Sequence, residues 1–267
     1  MAELLFDKQG DIALITFNRP AKRNALTPEM MVRLAHAWVE FRDDDDLRVS
    51  ILTGTGTVFC AGADLARLIP LLTRARAPED EWDTALIKDR SVYQTAILRR
   101  FELYKPVIAA INGAALAGGT EIVEATDIRL TVPQASFGLT EPRHGLVPSG
   151  GSMVRLARQI PYCKAMEILL TGDSISAQEA LRIGLVNEIV PSDRLLERAF
   201  EVARRIVTSG PLAIRKIKET VLRSSGRPLN DAFTIEDEIA REIARSADAR
   251  EGPRAFVEKR VPHFIGR

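Results

Sequence analysis

The chain has 267 residues, with 37 Lys plus Arg against 36 Asp plus Glu for a formal net charge of +1, and it is 46% hydrophobic and 27% charged. These globular proportions exclude a disordered chain and a membrane bundle, and the length allows one large domain or two small ones. The near-neutral balance excludes a general nucleic-acid or anionic-membrane binder, which needs surplus Lys and Arg to displace counterions from a polyanion.

The N-terminal MAELLFDKQGD has no cationic stretch followed by an apolar one, so no secretory signal is expected. Alternation through LLFDKQGDIALITF, with Gly10 at a turn, predicts two strands in a hairpin. Thr27 is placed to cap a helix with Pro28 at its first position. Met31, Leu34, Ala35, Trp38 and Phe41 then recur at helical spacing up to Asp43 to Asp46, an acidic run that reads as a solvated helix end. Val49 to Leu52 reads as a buried strand, GTGTVFCAGAD as a loop, and Leu65 to Leu72 as a short apolar helix. Thr73 to Asp89 is charged and irregular before a helix resumes through Val92, Ala96, Leu98 and Phe101. VIAAI is the strand of a second strand-loop-helix unit whose helix opens at Gly118-Gly119, and Asp127 to Val132 is a further strand. Strands separated by helices of this length predict βαβ crossovers and a mostly parallel sheet. From Ser152 onward the chain turns helical, with Ser176 and Glu179 in capping-box spacing and one strand at Leu185 to Val190. A helical run from Ser192 to about Lys259 is broken at Ser224 to Pro228. The longest uncharged stretch, Pro106 to Thr120, is too short to span a bilayer, and a soluble cytoplasmic protein is expected.

Most catalytic signatures are absent. Cys60 and Cys163 fit neither a disulfide framework nor a zinc pattern; there is no GxSxG elbow and no P-loop, and the GTG at Gly54 lacks the third glycine of a dinucleotide fingerprint. His36, His144 and His263 are isolated and read as structural or surface residues, and Cys60 as a small buried residue rather than a nucleophile. No metal site is expected. What remains is two small-residue loops, CAGAD (Cys60 to Asp64) and AGGTE (Ala117 to Glu121), each after a predicted parallel strand, and two carboxylates, Glu121 and Glu141. The loops either make tight turns only or aim two backbone N–H donors at one oxygen, as an enolate or tetrahedral intermediate requires. Two carboxylates in one partly apolar cleft can divide the roles of acid and base, whereas either taken alone reads as an ordinary helix-terminal or loop salt-bridge partner.

Six ordered blocks covering nearly the whole chain resemble the crotonase superfamily of enoyl-CoA hydratases and isomerases. They are FNRPAKRNALTPEM, FCAGADL, KPVIAAINGAALAGGTEIVEATDIRL, FGLTEPRHGLVPSGG, LLTGDSISAQEALRIGLVNEIVP and REGPRAFVEKR. The resemblance implies an α/β fold, a crotonase-like spiral of ββα units (1–195, the acyl-CoA-binding core) with a helical C-terminal trimerisation region (196–267). It also implies assembly as a homotrimer or as a hexamer made of two trimers. It implies an acyl-CoA thioester as substrate, with coenzyme A as part of that substrate and no separate cofactor. By position, Ala63 and Gly118 match the oxyanion-hole donors; Glu121 matches the carboxylate that activates water and Glu141 the one that exchanges the proton at C2. Lys22, Arg23 and Ala25, the backbone of Ala61, Gly62, Asp64 and Leu65, and Phe256 and Lys259 near the C-terminus match coenzyme A contacts, the last two toward a neighbouring subunit.

Three features depart from the family pattern. The glycine trio before the first Glu reads Ala117-Gly118-Gly119, which should keep the hole but trim space beside it; Ala66, with Arg67 next to it, replaces a Lys; and residues 67–90 are longer and more charged than in a compact short-chain hydratase. That segment is expected to line or cover the acyl pocket, with Leu68, Ile69, Leu71, Leu72 and Trp82 as walls. The expected activity is hydration of a trans-2-enoyl-CoA. The alternatives are an isomerase, a dehydratase of a branched, hydroxylated or ring-bearing acyl-CoA, and a non-catalytic acyl-CoA- or RNA-binding relative.

Overall fold

The computed structural model describes residues 2–267. Strands β1 (Leu4–Gln9) and β2 (Ile12–Phe17) form the expected antiparallel hairpin, turned at Gly10 with φ +59°. Helix α1 (Pro28–Asp43) starts where the Thr27 hydroxyl accepts the Met30 N–H at 3.1 Å, and it buries Met31, Leu34, Trp38 and Phe41. Strand β3 (Val49–Gly54) runs parallel to β2, and the stretch read as one loop after it contains β4 (Val58–Cys60).

Helix α2 (Leu68–Leu72) begins later than expected because Asp64 Oδ1 accepts the N–H groups of Ala66 and Arg67, which holds those residues in a turn. The segment expected to be irregular holds α3 (Glu81–Lys88), capped by Asp80 accepting the Asp83 N–H at 2.8 Å. Asp83 is fully buried and paired with Arg76, so this charged stretch folds around an ion pair rather than an apolar stripe. Helix α4 (Arg90–Ala96) stops short of Leu98 and Phe101, because Leu98 (φ +51°) and Arg100 (φ +56°) take left-handed conformations.

Next come β5 (Val107–Ile111), β6 (Ala114–Leu116), α5 (Gly118–Glu124), β7 (Ile128–Thr131) and β8 (Ser136–Gly138). They are followed by α6 (Ser152–Gln159), α7 (Tyr162–Thr171), β9 (Ser174–Ser176), α8 (Ala177–Arg182) and β10 (Glu188–Ile189). Helices α9 (Leu195–Val207), α10 (Pro211–Ser224), α11 (Leu229–Ala244) and α12 (Ala247–Val257) complete the chain. The Ser176 hydroxyl caps α8 through the Glu179 N–H, as its spacing predicted.

The strands form two sheets, β1-β2-β3-β5-β7-β10, parallel beyond its hairpin, and β4-β6-β8-β9. The pairs β3–β4, β5–β6 and β7–β8 each send their first strand to the large sheet and their second to the small one before a helical segment follows. This repeat is the ββα spiral. Helix α9, with Leu195, Ala199 and Ala203 buried, packs on β3, β5 and β7, whereas α10 packs chiefly on α11. Among the described residues no helix is long and apolar enough to cross a membrane.

Asn24 ties the loop before α1 to the end of β3. It is fully buried at φ +53°, accepts the Arg19 N–H at 2.8 Å, and donates to the carbonyls of Thr55 (3.0 Å) and Val58 (2.8 Å). Asn24→Ala leaves those groups unpaired and puts a Cβ-bearing residue without a polar side chain in the left-handed region. We expect a loss of ~3 kcal/mol of stability, read as a lowered urea midpoint at unchanged m value.

Candidate active site

The site lies at the ends of β4, β6 and β8. After β4, the Leu26 N–H donates to the Gly62 carbonyl at 2.8 Å and the Asp64 N–H to the Leu26 carbonyl at 2.9 Å. These bonds make a parallel bridge between Leu26 and Ala63 that leaves the Ala63 N–H without an acceptor in the protein. The Gly118 N–H is likewise unpaired, because it opens the first turn of α5. A methyl group built on Gly118 would sit 3.8 Å from Ala63 N, and one on Gly62 would sit 3.3 Å from Gly118 N, so the two donors share one corner. Glycine is required at 119 for the same reason of approach: a Cβ there would lie 2.4 Å from the Cys60 carbonyl oxygen. Cys60 itself is buried, with its thiol pushed up to about 12 by desolvation, which makes it inert as a nucleophile.

A cavity of about 270 Å³ opens here, walled by Ala63, Gly118, Glu121, Glu141 and Tyr93 among others. Glu121 is 4% exposed, and one of its oxygens accepts the Ser152 N–H at 3.3 Å. Burial raises its carboxyl above the usual range, while the N–H groups of Ser152, Gly150 and Gly151 pull it back. Gly150 permits that cradle, since a Cβ there would lie 2.4 Å from Glu121 Oε2. Glu141 begins a short 3-10 turn (Glu141–His144), and its Oε2 is buried without a hydrogen-bond partner. Burial, with the Glu121 charge adding to it, pushes the Glu141 carboxyl up to about 7. The Tyr93 hydroxyl bonds to Ser149 and is held up to about 12, by burial first and then by the charge of Glu121. No sequence pattern points to Tyr93. The Gly150-Gly151 pair before a predicted helix start was the one available sign of the cradle.

Ala61, Ala63 and Leu65 line the cavity, and Gly62 is buried beside them. Ala25 precedes the Leu26 bridge, while Lys22 and Arg23 are exposed on the turn before it. The Asp64 carboxylate is engaged by Arg19 at 2.8 Å and by the turn N–H groups, so that residue meets the site through its backbone. Phe256 and Lys259 lie at the exposed end of α12 and do not line the cavity of their own chain. Arg67 pairs with Asp80 at 2.8 Å. Leu68, Ile69 and Leu72 are walls as expected, and Leu71 is buried and faces the adjoining cavity. Trp82 is not a wall; it packs under the Arg33 guanidinium, 4.8 Å from the ring centre. His144 does line the cavity, and no cluster suited to a metal ion occurs among the described residues.

A family profile described as enoyl-CoA hydratase/isomerase matches residues 7–267. The chain belongs to the enoyl-CoA hydratase/isomerase family. It is 43% identical over 268 residues to enoyl-CoA hydratase EchA19 of Mycobacterium tuberculosis, covering 99% of this chain and 97% of that protein. It is 37% identical over 265 residues to carnitinyl-CoA dehydratase of Salmonella typhi, covering 97% of each. The crystal structure of enoyl-CoA hydratase from M. tuberculosis H37Rv superposes with a TM-score of 0.88 at 36% identity, covering 100% of both chains.

Within this enoyl-CoA hydratase/isomerase site, Ala117 is the strained residue. Its φ of +49° and ψ of −123° fall where glycine is favoured, yet its N–H is held by the Gly138 carbonyl at 2.7 Å and its side chain lines the cavity. Ala117→Gly relieves strain of ~1–3 kcal/mol, which outweighs the extra chain entropy of about 0.5–1 kcal/mol that glycine loses on folding. We expect a gain of ~1 kcal/mol, or about 3 °C in Tm by scanning calorimetry.

Proposed function

We propose that the protein is an enoyl-CoA hydratase, adding water across the trans-2 double bond of an enoyl-CoA thioester. The observation that carries this reading is one buried cavity in which two unpaired peptide N–H groups share the wall with two carboxyl groups. The thioester oxygen is received by the N–H groups of Ala63 and Gly118. Water held by Glu121 gives up a proton to it as the water oxygen bonds to C3. The π pair moves into an enolate, whose charge rests on the thioester oxygen between the two donors. Glu141 delivers its proton to C2, and the enzyme resets when the proton taken by Glu121 is passed on and Glu141 is reprotonated.

The physical environments support this division. Three backbone N–H groups favour the ionised form of Glu121, whereas Glu141 has no such cradle and holds its proton up to about pH 7. Lys22, Arg23 and the backbone at Ala25 and at Ala61 to Leu65 are assigned to coenzyme A, with Phe256 and Lys259 completing a neighbouring subunit's site. Exposed Val221, Leu222, Leu229 and Phe233 on α10 and α11 favour a trimer or a pair of trimers, and residues 1–195 and 196–267 divide as catalytic core and assembly region. Two free cysteines fit a reducing, cytoplasmic setting. A dehydratase of a hydroxylated acyl-CoA, the direction named for the Salmonella relative, uses the same groups in reverse.

Glu121→Gln should lower hydration of crotonyl-CoA by about 10³-fold while a saturated acyl-CoA still binds in calorimetry; wild-type turnover in this variant would reject the mechanism. Isomerisation through Glu141 alone would survive the change. Glu141→Gln should remove exchange of the C2 proton with deuterium oxide, measured by NMR. The pH profile follows from the same groups. Because the raised carboxyl of Glu141 acts as the acid, kcat/KM should fall as pH rises through about 7; it should fall on the acid side as Glu121 takes up a proton.

A further inference from the structure

The catalytic cavity does not end at its carboxylates. Leu72, Tyr93 and Ser149 line it, and the same three residues line a second, larger cavity of about 830 Å³ that opens beyond them between the 73–78 turn, α3 and α4. The two cavities therefore adjoin at these three side chains, and the outer one lies next to the space that would hold an acyl group whose thioester sits at Ala63 and Gly118. Its apolar wall includes Leu86 and Ile87. Its charged groups are all cationic: Arg74, Arg76 and Arg90, with no Asp or Glu among the lining residues.

The three arginines are not equivalent. Arg76 is paired with the buried carboxylate of Asp83, reached at 2.9 Å by one of its nitrogens, and it also donates to the Arg67 carbonyl, so its charge is satisfied and it holds the chamber wall in place. Neither the Arg74 nor the Arg90 guanidinium makes an ion pair or a hydrogen bond within the described residues. Arg74 also stands in a left-handed turn conformation (φ +61°), unusual for a residue with a side chain. Two uncommitted guanidinium groups beside an apolar wall, in a cavity adjoining the acyl site, suit an anion carried on an apolar stem.

We propose that the enoyl-CoA accepted by this site carries a carboxylate at the distal end of its acyl group, held in the outer chamber by Arg74 and Arg90. The inference rests on the hydratase reading and specifies its substrate class. Guanidinium groups bind a planar carboxylate through paired donors, which a neutral chain end does not reward, and they repel an acyl group that ends in a quaternary ammonium.

The test compares trans-2-enoyl-CoA thioesters of increasing length that end in a carboxylate with their neutral methyl esters. At the lengths that reach the chamber, the wild-type protein should favour the carboxylate by about tenfold in kcat/KM, and this preference should shrink with added salt. In the double variant Arg74→Gln, Arg90→Gln the ratio of the two rates should fall to about one, most of the change appearing in KM. Equal rates for carboxylate and ester at every length in the wild type would overturn the proposal, as would a preference that survives in the double variant. Crotonyl-CoA separates the two readings: if the wild-type protein does not hydrate it or any ester of the series, the hydratase assignment fails. If it hydrates the neutral esters without favouring the carboxylates, only the distal site fails.

Discussion

The architecture of the site depends on one close approach, that of the first turn of α5 to the end of β4. With hydrogen alone at position 119, the helix can start against the Cys60 carbonyl. The Thr120 hydroxyl then locks it, donating to the Ala115 carbonyl at 2.6 Å and accepting the Gly138 N–H at 3.1 Å, so that β6, α5 and β8 share one anchor. Because the helix begins here and the Leu26 bridge consumes the N–H groups around Ala63, two donors are left facing a cavity instead of a partner. An unpaired buried donor costs ~1–3 kcal/mol. Held in pairs on a rigid frame, such donors are ready for an oxygen that gains charge during reaction.

The same compression explains Ala117. A Cβ added at Gly62 would lie 2.6 Å from the Ala117 side chain and 2.9 Å from the Leu116 carbonyl, so position 62 has no room for a side chain, whereas position 117 has room but an unfavourable backbone. The alanine is retained with its methyl in the cavity wall. Its effect is on the shape of the space beside the oxyanion corner, and the donors are untouched.

Legibility in the sequence followed element length and the kind of interaction that forms each element. The β1–β2 hairpin, α1 and β5 carry period-two, helical or continuous apolar patterns over five residues or more, and they stand where those patterns put them. Strands β4, β6 and β8 have three residues each, fewer than any periodicity needs, so the small sheet was read as loops although it positions every catalytic candidate. Helix α3 escaped notice because its organising residue is Asp83, a buried acid neutralised by Arg76 from outside the helix. At the site, the small-residue loops and the two glutamates could be picked out as residues. Their convergence on one cavity depends on crossovers between two sheets, and the contribution of Tyr93 depends on helix α4 packing beside residues far along the chain, for which no local pattern exists.

The electrostatics of the cavity reduce to the question of how many negative charges it holds at rest. Helix α5 carries Glu121 and, one turn on, Glu124, both buried. Glu124 is pushed up to about 8 by burial, with Ser152, Arg129 and Arg155 only partly opposing it, so at neutral pH it is uncharged and adds no repulsion against Glu121. Glu141 is close to half protonated there, and Tyr93 remains a phenol. Among these groups Glu121 alone has a cradle of three N–H groups, at Gly150 to Ser152, that favours its ionised form against the burial that raises it. In the proposed mechanism the charge that develops on substrate is drawn to the opposite wall by Ala63 and Gly118. On that mechanism, the Glu121 carboxylate and the enolate sit on separate sets of backbone donors, so a pocket without metal clusters or converging histidines among its residues can run both halves of a proton-coupled addition.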